Sequence, residues 1–375
     1  MITAALGRSP RLRLVLQFLG ALMLWRGALF FLIYVTRIMI PERVGNWNKN
    51  WAAFPEKPFV DSFARWDSIY YFRIATQGYT GPEADLAFFP GFPLLVRGVA
   101  KLTGNPWIAG LVVSNLSLLA ALFFVYGIAL RYFDERDARR AVLWVLMFPT
   151  SLFFSMFYSE SVFLLTVAAT FYFYEREQLI WAALCGILAA FTRPTGILLC
   201  PALILGALHR GEYRYLSPRM LFLLLIPSGI ALVAYLQYRA IGDPLAFINA
   251  QALWGRSSMS PLRALALQVH TIAAHRDGVQ AAFDCLAVVG LFSVVALSLH
   301  TLDLAHSVFA ALSVLVPLSS GRVLSMERFA ACVVPLYLVL TRVTMSPNVE
   351  RYAIYLASLS LALHTILFAS WFFAG

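Results

Sequence analysis

Residues 65–93 read RWDSIYYFRIATQGYTGPEADLAFFPGFP, and this stretch fits its surroundings poorly. It holds Asp67, Glu83 and Asp85, with Asp61 just upstream, together with Arg65, Arg73, a belt of aromatic rings and the repeated Phe-Pro of Phe89-Pro90 and Phe92-Pro93. The 375-residue chain around it is 61% hydrophobic and only 13% charged, whereas a soluble domain carries about 25% charged residues. Long apolar stretches recur along the whole length, so the chain reads as an all-α polytopic membrane protein. A charged, aromatic, turn-rich segment in such a chain is where polar chemistry is housed.

At roughly 20 apolar residues per crossing, spans are predicted near 14–36, 106–130, 141–156, 159–174, 179–193, 195–208, 220–239, 281–299, 302–318, 329–345 and 352–373, a bundle of about 11 helices. Residues 90–104 read as a further short or re-entrant helix broken by prolines. Several spans between 141 and 208 hold only about 15 residues, or about 22 Å, and need not cross fully. A single domain is expected over 1–375, with a first outer loop at about 37–92 and a second at about 240–280. Neither is long enough to fold alone. Both are expected to lie on the membrane as amphipathic helices, anchored by Trp47, Trp51 and Trp66. The basic connectors 131–140 (RYFDERDARR) and 209–219 (HRGEYRYLSPR), with Arg8, Arg11 and Arg13, place the N-terminus in the cytoplasm and both long loops outside. The first apolar run is too long for a signal peptide and carries Arg26, so it reads as a retained helix.

Lys and Arg outnumber Asp and Glu 29 to 19, and the only lysines are Lys49, Lys57 and Lys101. Arginine suits bidentate recognition of phosphate; a GC-rich genome would give the same bias. No soluble basic domain is present to hold nucleic acid, which leaves anionic headgroups or a lipid phosphate as partners. Cys185, Cys200, Cys285 and Cys332 stand singly in apolar runs, without the spacing of a disulfide framework or a zinc site.

On this topology the unusual polar residues converge on the outer face: Asp67, Ser159-Glu160, Arg193, then Gln251, Trp254 and Arg256, then Arg322, Glu327 and Arg328. Arg26 falls about two-thirds of the way across the hydrocarbon, where a charge implies either a structural ion pair or a place near substrate. Glycosyl transfer from a lipid-phosphate sugar would use such a set. A carboxylate takes the proton of the attacking hydroxyl, arginines meet the charge on the leaving phosphate, and aromatic surfaces hold the sugar. Phosphate is already a good leaving group, so one carboxylate suffices where glycosidases need two. Asp67 is the candidate base; the competing reading makes it the N-cap of a helix over Ser68–Thr76. Glu83 and Asp85 could bind acceptor hydroxyls, support Asp67, or solvate the turn after Gly81-Pro82. With Asp67 they could offer oxygen ligands to a divalent cation, but no tight ligand motif is present and no metal cofactor is expected. Arg193, before the break at Pro194, faces a phosphate or snorkels to the interface.

Trp66-Asp67, Gly78-Tyr79 and Ala87-Phe88-Phe89-Pro90-Gly91-Phe92-Pro93 resemble the first luminal loop of the PIG-V mannosyltransferases, the second of GPI-anchor synthesis, and of their bacterial relatives. Phe157-Tyr158-Ser159-Glu160-Ser161 and Phe191-Thr192-Arg193-Pro194-Thr195-Gly196 are similar to that family's Tyr-Ser-Glu-Ser and Arg-Ser-Asn-Gly, with Pro194-Thr195 in place of Ser-Asn. Weaker matches are Gln251-x-x-Trp254 and Ser325-Met326-Glu327-Arg328 before Pro335-Leu336, which lacks the family's Phe. The resemblance covers residues 60–340 in outline and implies a GT-C-type bundle. By that resemblance the chain is an inverting glycosyltransferase that moves mannose from a polyprenyl-phosphate-mannose donor to a glycolipid or cell-surface glycan acceptor. It would act on the extracytoplasmic face of a plasma membrane, prokaryotic by the short, arginine-rich character of the chain. Asp67 would be the base, with Arg193, Arg65 and Arg328 on the donor phosphate. Trp66, Phe88, Phe89 and Trp254 would shape the sugar pocket, and Glu83, Asp85, Ser159, Glu160 and Gln251 would bind substrate. The alternatives are another sugar, a protein acceptor, or a flippase for lipid-linked sugars. A flippase predicts broken helices in two related halves with polar groups at mid-membrane.

Overall fold

In a bilayer the backbone must satisfy its own hydrogen bonds, which leaves helices as the route for a chain this apolar. The computed structural model describes residues 10–40, 58–210, 218–273, 278–321, 323 and 325–372, and among the described residues there is no strand. In chain order the helices are α1 (Pro10–Met39), α2 (Ser68–Gln77), α3 (Gly91–Thr103), α4 (Pro106–Ala129), α5 (Glu135–Met147), α6 (Glu160–Tyr174), α7 (Leu179–Thr192) and α8 (Leu199–His209). There follow α9 (Ser228–Ile241), α10 (Pro261–Ala273), α11 (Gly278–Thr301), α12 (Leu304–Leu318), α13 (Met326–Ala330), α14 (Val334–Val343) and α15 (Pro347–Ala369).

Among the described residues, five stretches are long and apolar enough to cross a membrane: α1, α4, Pro218–Ile241, Ala282–Thr301 and α15. Five more apolar segments, including α6, α7 and α12, hold only 10–17 residues. The expected positions are therefore largely occupied, but a count of about 11 crossings does not follow from helix length. The expected span 141–156 is instead α5 followed by a 3-10 turn at Ser151–Ser155, because Phe148 leaves the helical region before Pro149. The expected span 329–345 starts only at Val334, since Met326–Ala330 forms a short helix of its own. Trp47, Trp51 and Arg322 lie outside the described residues.

α4 is the central post. Asn105 caps it, accepting from Trp107 N at 2.9 Å and Ile108 N at 3.2 Å, and Pro106 occupies its first turn. It packs along α6, which packs along α7, while α1 leans on α15. The segment before it is amphipathic. α2 buries Tyr70, Tyr71 and Ile74, and α3 buries Phe92 and Val96 while exposing Leu95 and Leu102. Gly91 is the point where α3 meets the end of α7: a Cβ there would lie 2.8 Å from Thr192 Cα. That approach carries Phe88 and Phe89 to the neighbourhood of Arg193. Arg26, mid-way along α1, donates to Ser155 O at 2.5 Å and lies over the Phe30 ring at 4.4 Å. It meets a backbone carbonyl there, which is neither of the roles its sequence position suggested.

At the other end of the bundle the charges pair among themselves. Arg140 joins Asp137 and Glu350, and Asp303 receives both Arg210 and, at 3.5 Å, Arg131. Glu175, just past α6, lies 3.5 Å from His306 and accepts from Tyr132 OH at 3.4 Å. Burial lifts the Glu175 carboxyl to about 8, against the pull of Arg131. The folded chain thus holds this proton more tightly than the unfolded chain, so stability falls as pH rises from about 4.5 through about 8. Glu175→Gln removes that dependence. Its melting temperature in detergent should exceed the wild-type value by a margin that widens between pH 6 and pH 9. Parallel curves across that range would show Glu175 ionised throughout.

Candidate active site

A carboxylate that caps a helix sits in the extended region and accepts from the second or third backbone amide. Asp67 precedes α2 but does neither: it has φ −61° and ψ −16°, and its side chain makes no capping bond. Its Oδ2 instead accepts from Arg328 Nη1 at 2.7 Å. The reading of Asp67 as an N-cap is therefore corrected.

What turns Asp67 inward is the residue before it. Trp66 adopts φ +55°, a left-handed conformation that costs a bulky residue about 1–3 kcal/mol and persists only where its surroundings enforce it. Tyr158 supplies part of that enforcement: its hydroxyl donates to Arg65 O at 2.9 Å and accepts from Asp67 N at 3.2 Å. Across this kink the neighbours of Asp67 part company with it. Arg65 is fully buried, bonded to Asp61 at 3.1 Å and to Ala369 O at 2.6 Å, with the Trp371 ring 4.5 Å away. It closes the C-terminal end of α15, where a cation meets the negative end of the helix dipole. Trp66 packs against Trp371 with centroids 5.7 Å apart. Neither residue lines the cavity beside Asp67, which corrects their expected places on the phosphate and the sugar.

From Asp67 a line of buried charge runs across four segments. Arg328, on α13, also approaches Glu160 with Nε 3.2 Å from Oε1. Arg193, between α7 and α8, places Nη1 2.7 Å from the same Glu160 oxygen. Glu160 is completely buried and its contacts are charge to charge, without the angles of directed hydrogen bonds. Beside it Tyr71 OH and Ser159 Oγ are 2.8 Å apart, and burial, reinforced by Glu160, pushes the Tyr71 phenol above its ordinary value. Tyr71 and Tyr158 thus enter as neutral hydrogen-bonding groups.

These charges border a cavity of about 160 Å³ lined by Asp67, Tyr71, Phe88, Phe89, Thr192, Arg193, Gln251, Trp254, Arg256, Arg328 and Phe329 among others. Asp67 is the one carboxylate in that lining. Phe88 stacks on Tyr70 at 4.4 Å and meets Trp254 edge-on at 5.8 Å, which ties the segment between α2 and α3 to the one that follows α9. The guanidinium groups of Arg193 and Arg256 lie 5.3 and 5.5 Å from the Phe329 ring. Ser159 and Glu160 stand behind this wall rather than in it. Asp85 is buried in a pair with Arg73 at 2.5 Å, and Glu83 is exposed. Asp67, Glu83 and Asp85 therefore form no cation cluster; among the described residues the one carboxylate-histidine group with such spacing is Glu175, Asp303 and His306, at the far end. Tyr71, Tyr158 and Phe329 are residues that sequence reasoning did not place in the site, and Arg256 was gathered with the converging polar residues but given no role. On the opposite side of α13, Glu327 pairs with His364 at 2.5 Å and faces a second, apolar cavity of about 360 Å³.

The sequence profile described as Mannosyltransferase (PIG-V) matches residues 13–219, more than half of the chain. The chain belongs to that family. It is 29% identical over 145 residues to GPI mannosyltransferase 2 of Cryptococcus neoformans, a match covering 36% of this chain and 34% of that protein. It is 34% identical over 115 residues to GPI mannosyltransferase 2 of Drosophila pseudoobscura, covering 28% and 25%. The aligned stretch is thus about a third of these relatives or less. Among solved structures it is similar to ArnT from Cupriavidus metallidurans, which was solved bound to undecaprenyl phosphate. That likeness has a TM-score of 0.54 at 16% identity and covers 89% of this chain and 62% of ArnT. The bundle is accordingly of GT-C type. The PIG-V match takes in Asp67, Glu160 and Arg193 but ends before Gln251, Trp254, Arg256 and Arg328, which the fold alone brings to the cavity.

The placement of Arg65 can be tested. Arg65→Gln removes the cation from a buried carboxylate, a change that destabilises by about 3 kcal/mol or more. The melting temperature should fall, while the affinity of the protein that remains folded for a lipid phosphate stays unchanged. Weakened phosphate binding with an unmoved melting temperature would return Arg65 to the cavity.

Proposed function

We propose that this protein is an integral-membrane glycosyltransferase that moves a hexose, mannose by its family, from a polyprenyl-phosphate donor to a hydroxyl of a glycolipid or cell-surface glycan. The single observation that carries this reading is Asp67. It is a mostly buried carboxylate, released from its helix, and it faces a cavity in which every other charged group is an arginine. Among the described residues its Oδ1 accepts no hydrogen bond, which leaves that oxygen to receive a proton from the acceptor hydroxyl. Arg193, Arg256 and Arg328 supply the cations that a leaving phosphate requires. Phe88, Phe89 and Trp254 give the sugar apolar faces, and Gln251 offers it a hydrogen-bonding amide.

The attacking oxygen bonds to the anomeric carbon opposite the phosphate, so the configuration inverts. Because arginines meet the phosphate charge, this reading assigns no metal cofactor. The lipid donor draws support from the undecaprenyl phosphate bound in ArnT and from the arginine-rich lining. The basic connectors at the other end support a cavity on the extracytoplasmic side of a plasma membrane, and the short, arginine-rich character of the chain supports a prokaryotic one. A flippase would want charged groups at mid-membrane in two related halves; here the charged chain gathers around one cavity at one end.

Transfer of labelled mannose from polyprenyl-phosphate-mannose to a membrane lipid extract tests the reading. Asp67→Asn should lower kcat by about 10²–10⁴-fold, the usual contribution of a general base, in protein whose circular dichroism shows it still helical. Glu83→Gln, at an exposed position, should transfer normally. Normal turnover by folded Asp67→Asn protein would sink the assignment.

A further inference from the structure

Arg328 is held between two carboxylates, with Nη1 on Asp67 and Nε beside Glu160, and Arg193 lies on the same oxygen of Glu160. Two anions and two cations form one line, Asp67–Arg328–Glu160–Arg193. Asp67 and Arg328 are each 8% exposed and Glu160 is 0% exposed. Where water is this scarce, charge must be balanced locally. A lipid phosphate entering the cavity therefore meets Arg256 and two further arginines, Arg193 and Arg328, whose charge these carboxylates already match. Arg328 can turn fully to the phosphate only when one of its carboxylates loses its charge. Glu160 is sealed from the cavity and cannot receive the acceptor's proton. Asp67 lines the cavity and can.

We infer that Arg328 is handed from Asp67 to the departing phosphate as Asp67 takes the acceptor's proton. This rests on the reading of the cavity as a polyprenyl-phosphate-sugar site. The acceptor oxygen uses a lone pair to bond to the anomeric carbon, and its proton passes to Asp67. The bond from that carbon to the phosphate oxygen breaks, and its electron pair stays on the oxygen. Asp67 goes from one negative charge to none, and the phosphate goes from a singly charged diester to a doubly charged monoester. The total charge is conserved while its centre moves, and Arg328 follows it with Glu160 as the fixed pivot. Such an interaction is stronger in the transition state than in the ground state, which is the condition for it to raise kcat.

The handover has a consequence opposite to the usual effect of removing a site residue. Asp67→Asn should slow transfer by the factor given above and yet bind polyprenyl monophosphate about tenfold more tightly than the wild type, the scale of one charge-assisted hydrogen bond. Binding is read with the purified protein in lipid nanodiscs, with the uncharged polyprenol as control. Asp67→Ala, which cannot hold Arg328 at all, should show the same gain and keeps the test open should one variant fail to fold. Adding Arg328→Gln to Asp67→Asn should erase the gain, and polyprenol binding should stay level throughout. If the wild type prefers the monophosphate to the alcohol but the Asp67 variants bind it equally or more weakly, the handover is wrong and the donor assignment stands. If wild type and variants bind monophosphate and alcohol alike, the donor class itself fails, and the handover with it.

Discussion

The line of charge from Asp67 through Arg328 and Glu160 to Arg193 is the constraint on which the candidate site depends. It joins segments that are distant in sequence: the turn before α2, the start of α6, the break after α7, and α13. Buried ion pairs are poor stabilisers, since an apolar replacement of the same shape is often as good or better. Their use here is geometric. Each arginine is aimed by a carboxylate that its neighbour also needs, so no one of the four can move without disturbing the next. Glu160, with no exposed surface, sits where both arginines reach it, and it fixes their separation.

That line can form only if the backbone presents Asp67 to the cavity, and the local structure there is strained and braced. The left-handed Trp66 is the strained element; Tyr158 and the Arg65 contacts are the braces. Both braces come from far along the chain. Tyr158 stands two residues before Glu160, so the same short turn supplies the clamp on the kink and the pivot for Arg328. Arg65 reaches the end of α15, which ties the first outer segment to the last helix. The position of Asp67 is thus set by contacts at both ends of the sequence.

Much of this was legible in the sequence, and the failures have physical causes. Asp67, Phe88, Phe89, Arg193, Gln251, Trp254 and Arg328 all reach the cavity, because their residue types suit it and the topology puts them at one end. Arg65 and Trp66 were misplaced because adjacency in sequence says nothing about direction once a residue adopts positive φ; a Trp in that conformation carries no local signal. Asp85 was credited to substrate because its partner Arg73, on a different turn, is visible only in three dimensions. Ser159 and Glu160 were correctly noticed but stand one layer behind the lining. The helices were found by hydropathy, and the number of crossings was not, because α6, α7 and α12 are apolar throughout yet too short to settle whether they span.

The two ends of the bundle also differ in a way that bears on the proposed chemistry. Both carry arginines and carboxylates in similar numbers, so charge alone does not distinguish them. At the far end each pair closes on itself: Arg140 between Asp137 and Glu350, Asp303 between Arg131 and Arg210. These pairs knit connectors together. At the near end Asp67 and Arg328 pair while still bordering an aromatic-walled cavity. An ion pair with one side open to a small, poorly hydrated space can exchange a partner for an incoming proton or phosphate with little reorganisation, and this is the condition under which fixed charge accelerates a reaction. At the far end the pairs are wetter, with the Arg131 and Asp303 side chains 42% and 29% exposed, and charge that water screens in this way contributes less to a reaction.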